Sequence, residues 1–151
     1  MAFADAVIGC WDAKYFYSSW RPITAIQHAA NDGNPDTAAD PNWTPLITTP
    51  PFPEYPSAHS CVSGAAAQIL GAWFGEDTSF SVSSDGMPGV VRSFSGFAAA
   101  LDEIKNARVL GGIHFRTACN DGTALGSAIG NYIIHHALLP NHREREDSRG
   151  R

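Results

Sequence analysis

The sequence predicts an all-α domain with long proline-rich loops. Four stretches carry apolar residues at helical spacing. No strand–helix–strand alternation and no internal repeat accompanies them. The segments between are rich in Pro, Asp, Asn and Gly, which break regular structure. A length of 151 residues suits one domain. An apolar content of 44% can furnish a core, and a charged content of 17% is low for a small soluble protein.

The elements follow in order. Ala2–Tyr17, "AFADAVIGCWDAKYFY", reads as an amphipathic helix already under way, with no capping residue before it. This start predicts a chain that begins inside a larger fold. Pro22 then opens "PITAIQHAA" at the first helical turn, where no amide hydrogen is needed. Residues Asn31 to Pro56 predict an ordered surface loop without regular structure, and loops of that length are usually functional. A second long helix is predicted over Ala58–Phe74. "GEDTSFSVSSDGMPGVVRSF" is another loop, with room for a short hairpin. A further helix starts near Ser95 and runs through "GFAAALDEIKNARVL" until Gly111 and Gly112 break it. The last helix is predicted over roughly Ala118 to Leu138. The domain is therefore placed at residues 1–139. The charged tail 140–151, "PNHREREDSRGR", is expected to be frayed and flexible.

Several classes are disfavoured. The formal net charge of −5 does not suggest nucleic-acid binding. No apolar run approaches the ~20 residues of a membrane span. The first residues lack the cationic start, apolar centre and cleavage site of a signal peptide, so a soluble chain is expected and no compartment is indicated. Cys10, Cys61 and Cys119 form no C-x-x-C pair, so they read as small buried apolar residues.

The chemistry concentrates in three segments. Four prolines at 50, 51, 53 and 56 stiffen the approach to Ser57, Ala58 and His59. Pro56 biases Tyr55 to extended geometry, which leaves Ser57 well placed as a helix N-cap. Alone this is a cap followed by an incidental histidine. A helix start also offers free amides and a positive dipole end, so Ser57, the first amides and His59 can cradle an anion. Lys14 and Arg21 lie seven residues apart, two helical turns, so both can point one way. Alone they read as snorkelling surface cations. Arg108 and His114 flank the Gly111-Gly112 break, which frees them from helical spacing and lets both reach one point.

Taken together, the order Lys-x6-Arg-Pro, Pro-Ser-Ala-His and Arg-x5-His resembles the superfamily of vanadium-dependent haloperoxidases, type 2 phosphatidic acid phosphatases and bacterial acid phosphatases. The matching residues are Lys14, Arg21 and Pro22, then Pro56, Ser57 and His59, then Arg108 and His114. "WRP", "TPPFPEYPSAH" and "GGIHFR" are similar to the chloroperoxidase-like branch, and the resemblance spans nearly all of Ala2 to Leu138. It implies a helical bundle whose site-bearing C-terminal portion is this chain. It implies vanadate as cofactor, or phosphate as substrate or inhibitor. Lys14, Arg21, Ser57, Ala58 and Arg108 would bind the oxyanion. His114 would be the vanadium ligand or phosphoryl-accepting nucleophile, and His59 the acid–base partner. The implied reactants are hydrogen peroxide and a halide, or a phosphomonoester. The implied activities are haloperoxidase, acid phosphatase, or an inactive oxyanion-binding remnant.

Three departures stand out. Ala58 replaces a glycine, and Ala107 a serine. Ala118 replaces the acid that in the family supports the covalent histidine. Asp121, Asn120 or a backbone carbonyl is expected to take over that support, with Phe52 nearby in the surrounding shell. Apolar faces on the first and last helices further predict self-association of the chain.

Overall fold

Small residues decide how the helices meet. The computed structural model describes residues 1–137 and 139. Among them lie helices α1 (Ala2–Tyr17), α2 (Pro22–Gln27), α3 (Ala58–Phe74), α4 (Phe97–Leu110) and α5 (Arg116–His136). On α5, the buried residues Ala118, Gly122, Gly126 and Gly130 recur every four positions, forming one face. The facing side of α3 buries Ala58, Cys61, Gly64 and Ala65. With so little side chain between them the two backbones nearly touch. A Cβ added at Gly126 would fall on the Cys61 carbonyl oxygen. Helix α1 closes the core with Ala6 and Cys10, and Trp11, Val62, Leu125 and Ile129 pack around it. All three cysteines are buried, as the sequence predicts.

This contact is testable. Gly126→Ala should lower the stability of the chain by about 1–3 kcal/mol, the usual cost of overpacking a tight core. Urea unfolding checks it, and an unchanged midpoint would contradict so close an approach.

The predicted elements are present. Helices α1 and α3 match their expected limits, α4 begins at Phe97, and α5 begins at Arg116, two residues earlier than expected. Helix α2 ends at Gln27, followed by a single 3-10 turn over Ala29–Asn31. The loop after α3 does hold a hairpin: β1 (Phe80–Ser83) pairs antiparallel with β2 (Val91–Phe94). Its Phe80 stacks on Phe97 of α4 at 5.1 Å. The expected flexible tail, residues 140–151, lies outside the described residues. No helix among those described is long and apolar enough to cross a membrane.

The long loop before α3 is ordered without regular structure. Asp32, Asn34 and Asp40 each accept a hydrogen bond from the amide two residues on, which tightens successive turns. The Gln27 side chain donates to the Trp43 carbonyl at 2.9 Å. The Ile47 amide donates to the Gly111 carbonyl at 3.3 Å. The loop therefore reaches across to the glycine break that ends α4. At that break Gly112 has φ +73, and Pro45 and Trp43 crowd the position its side chain would occupy. Both facts require glycine there.

Candidate functional site

The site begins with a buried cation. Helix α1 delivers Lys14 in its last turn, and the residue is 0% exposed. Its ammonium donates to the carbonyls of Pro53 at 2.9 Å, Glu54 at 3.0 Å and Pro56 at 2.6 Å. An ammonium has three N–H groups, so all three are occupied. Desolvation pulls the Lys14 pKa down to about 8, which still leaves it charged at neutral pH. It also lies 5.3 Å from the Phe52 ring centroid. The sequence expects Lys14 among the anion-binding residues; in this structure its three donors turn to the loop carbonyls. Its donors hold the proline loop, and only its charge reaches the site.

The helical arithmetic that joined Lys14 to Arg21 is corrected. Helix α1 stops at Tyr17, where Ser18 turns left-handed at φ 47. The chain then reverses, with the Glu54 amide donating to the Ser19 carbonyl, and Arg21 enters as the N-cap of α2. Lys14 and Arg21 still converge, but through a turn and a shared loop. Arg21 Nε donates to the Phe52 carbonyl at 2.9 Å, and its guanidinium lies 5.0 Å from the Phe52 ring. Phe52 thus sits between two cations, a favourable position for a ring face.

From Arg21 the network runs into His114. Arg21 Nη1 donates to the Ile113 carbonyl at 2.8 Å and contacts His114 Nε2 at 3.0 Å. Guanidinium nitrogens only donate, so Nε2 must be the unprotonated, accepting nitrogen. Nδ1 then carries the proton, and it lies 2.8 Å from the Glu54 carboxylate. The same Glu54 oxygen accepts the Phe115 amide at 2.9 Å. Glu54 is 2% exposed and His114 4% exposed.

Burial is the largest influence lowering the His114 pKa below 6.5; Glu54 opposes it, and Arg21 reinforces it. Protonating Nε2 would set two N–H groups face to face with Arg21. Desolvation is the largest influence lowering His59 below its ordinary value, and the positive charges of Arg108, Lys14 and Arg21 add to it. A histidine whose folded pKa is depressed contributes stability above its unfolded value, and loses it as the pH falls through the folded one. The chain should therefore unfold at lower urea concentration at pH 5.5 than at pH 7.5. Equal midpoints would contradict these shifts.

The start of α3 completes the site. Ser57 caps the helix as predicted, its hydroxyl oxygen accepting from the Ser60 amide and hydroxyl. Its own amide donates to the Ala118 carbonyl at 2.9 Å, which pins the cap to α5. The amides of Ala58 and His59 are among the helix-start donors that have no intrahelical partner. His59 stands exposed at the rim. Arg108, in the last turn of α4, is near enough to press electrostatically on Arg21 and on His59.

Two buried guanidinium nitrogens, Arg21 Nη2 and Arg108 Nε, have no hydrogen-bond partner among the described residues. The Arg21 guanidinium, with an unpartnered donor beside the His114 lone pair, suits an oxyanion such as vanadate or phosphate. Of the residues the sequence names, Arg21 meets His114 directly, Arg108 and His114 lie within electrostatic reach of His59, and Ser57 and Ala58 share the helix start with His59. The structure does not bring in Asn120 or Asp121. Asn120 is exposed, and Asp121 accepts the Tyr55 hydroxyl at 2.9 Å instead. The residue missed is Glu54. One signal was available: Glu54 is the only acid between Asp40 and Glu76, set inside the proline run.

Comparisons with known proteins bear on the family and the fold. Residues 1–141 match the family described as the VCPO second helical-bundle domain. The vanadium chloroperoxidase of Curvularia inaequalis is 34% identical over 84 residues, 49% of this chain and 13% of that protein. The crystal structure of a bacterial vanadium-dependent iodoperoxidase superposes with a TM-score of 0.80 and 38% identity, covering 95% of this chain and 33% of that one. A holo bacterial vanadium-dependent chloroperoxidase shares the fold, with a TM-score of 0.67 at 22% identity over 86% of this chain. The chain thus spans about a third of the length of these solved relatives. By the match over residues 1–141, the chain belongs to the VCPO second helical-bundle domain family, among the vanadium haloperoxidases.

Proposed function

We propose that this chain holds vanadate at His114 and uses it to oxidise a halide with hydrogen peroxide. The observation that carries this reading is the His114 lone pair at Nε2, set beside a guanidinium that retains an unpartnered buried nitrogen. When bound, vanadate would supply the Lewis-acidic centre that activates peroxide toward the halide. The chain's own residues do the rest. Arg21 Nη2 and Arg108 Nε donate to the oxyanion. The first amides of α3, from Ala58 onward, add donors and the positive end of the helix dipole. The Ser57 oxygen already accepts from Ser60, so its hydrogen is free to donate outward. His59, at the rim and uncharged near neutral pH, takes a proton and hands it back. Lys14 adds positive charge from beneath the loop.

A paired assay tests this. The 151-residue chain is supplied with vanadate, peroxide and halide, and separately with a phosphomonoester. Halide oxidation that requires both vanadate and peroxide is expected. Phosphomonoester turnover without peroxide, blocked by vanadate, would identify a phosphatase. Activity in neither assay would leave an oxyanion-binding remnant.

We further expect the chain to self-associate. Helix α1 is apolar around most of its circumference and leaves Phe3, Ile8 and Phe16 64%, 68% and 81% exposed. A helix of this kind is ordinarily covered by further protein. Sedimentation should show concentration-dependent oligomers, and a monodisperse monomer with a sharp melt would overturn this.

A further inference from the structure

The acid that supports the covalent histidine in this family's motif is absent at Ala118, yet His114 is not left unsupported. We infer that Glu54 is the positioning residue of His114, holding its proton on Nδ1 so that Nε2 keeps an unprotonated, basic lone pair turned toward Arg21. The inference deepens the proposed oxyanion function, but the tautomer itself does not depend on it.

Two independent contacts agree. Glu54 Oε1 lies 2.8 Å from Nδ1, and a carboxylate can only accept there. Arg21 lies 3.0 Å from Nε2 and can only donate. Both assignments demand the same tautomer. The Phe115 amide, bonded to the same Glu54 oxygen at 2.9 Å, fixes the carboxylate against the backbone that carries His114. A buried carboxylate is costly without partners. Here Lys14 and Arg21 lie within electrostatic range of it, which compensates its burial. The candidates that the sequence offered point elsewhere, Asp121 to Tyr55 and Asn120 to solvent.

The origin of the support matters. An acid at position 118 would stand in the first turn of α5, four residues after His114. Glu54 instead comes from the proline loop, 60 residues earlier. Its own carbonyl is one of the three that Lys14 binds. Seating of the loop by Lys14 and readiness of His114 are thereby one event. Loss of the loop's geometry should disable the imidazole even with every anion-facing residue intact.

The test is imidazole nitrogen NMR at pH 7.5 on the 151-residue chain, as wild type, Glu54→Gln and Glu54→Ala, with titrations of inorganic phosphate and orthovanadate. Wild-type His114 should be wholly in the Nδ1–H form. Glu54→Gln keeps an accepting oxygen, so it should retain that form while losing about 10-fold in anion affinity. Glu54→Ala should give a mixture with the Nε2–H form and lose up to about 100-fold, the usual span for partners of this type. A wild-type Nε2–H histidine would overturn the inference before any variant is made. So would full anion affinity in Glu54→Gln, or an unchanged tautomer in a folded Glu54→Ala. If the wild type binds neither anion while its tautomer is as stated, the oxyanion function fails and the role of Glu54 stands.

Discussion

His114→Ala is expected to abolish vanadate binding and, with it, halide oxidation. Even a partner outside the direct bond costs about 10–100-fold, so removing the bonding nitrogen should cost more than about 100-fold in affinity. The variant should stay folded, because Glu54 keeps its bond to the Phe115 amide. His59→Ala is the informative contrast. His59 is exposed, and in the proposed role it carries a proton rather than the anion, so turnover should fall about 100- to 10,000-fold while vanadate affinity changes little. Equilibrium binding followed by the peroxide assay separates the two. Equal loss of affinity in both variants would remove the division between a bonding and a proton-transferring histidine.

Lys14→Met should be the most destabilising single change among the site residues. Methionine fills much the same volume but has no donor. The carbonyls of Pro53, Glu54 and Pro56 would each lose a bond in a buried site. An unsatisfied buried acceptor costs about 1–3 kcal/mol, so a loss of roughly 3 kcal/mol or more is expected. At this size that corresponds to a melting point lowered by roughly 10 °C. The Glu54 carboxylate would also lose a nearby positive charge, which adds to the cost. Thermal and urea unfolding measure the loss directly. A melt within a few degrees of wild type would show that Lys14 is not the keystone of the loop, and would return it to the role of an anion contact.

Much of the site was legible because its residues obey local rules. Ser57 is a helix cap followed by free amides, and its preceding prolines restrict the backbone before any tertiary contact forms. Arg108 and His114 flank a glycine pair that must break a helix. What local rules could not show was direction. Lys14 and Arg21 suggested a shared helix face, yet the helix ends between them and a left-handed Ser18 redirects the chain. Asp121 and Asn120 were close in sequence to the gap at Ala118, whereas the acid that fills the role comes from the loop.

The sequence alone determined the helices, the ordered proline loop, the breaks between them and a set of candidate site residues. These depend on propensity, capping and backbone restriction, which act over a few residues. Only the tertiary structure decided what each polar group faces. Burial forces every desolvated donor and acceptor to find a partner, and the nearest partner in space need not be near in the chain. Helices α3 and α5 approach closely because glycine meets small residues, and that approach sets Ser57 against Ala118. Lys14 is then drawn to three loop carbonyls, and Glu54 is carried with the loop onto His114. The assignment of Lys14 to the loop and of Glu54 to the histidine follows from that packing.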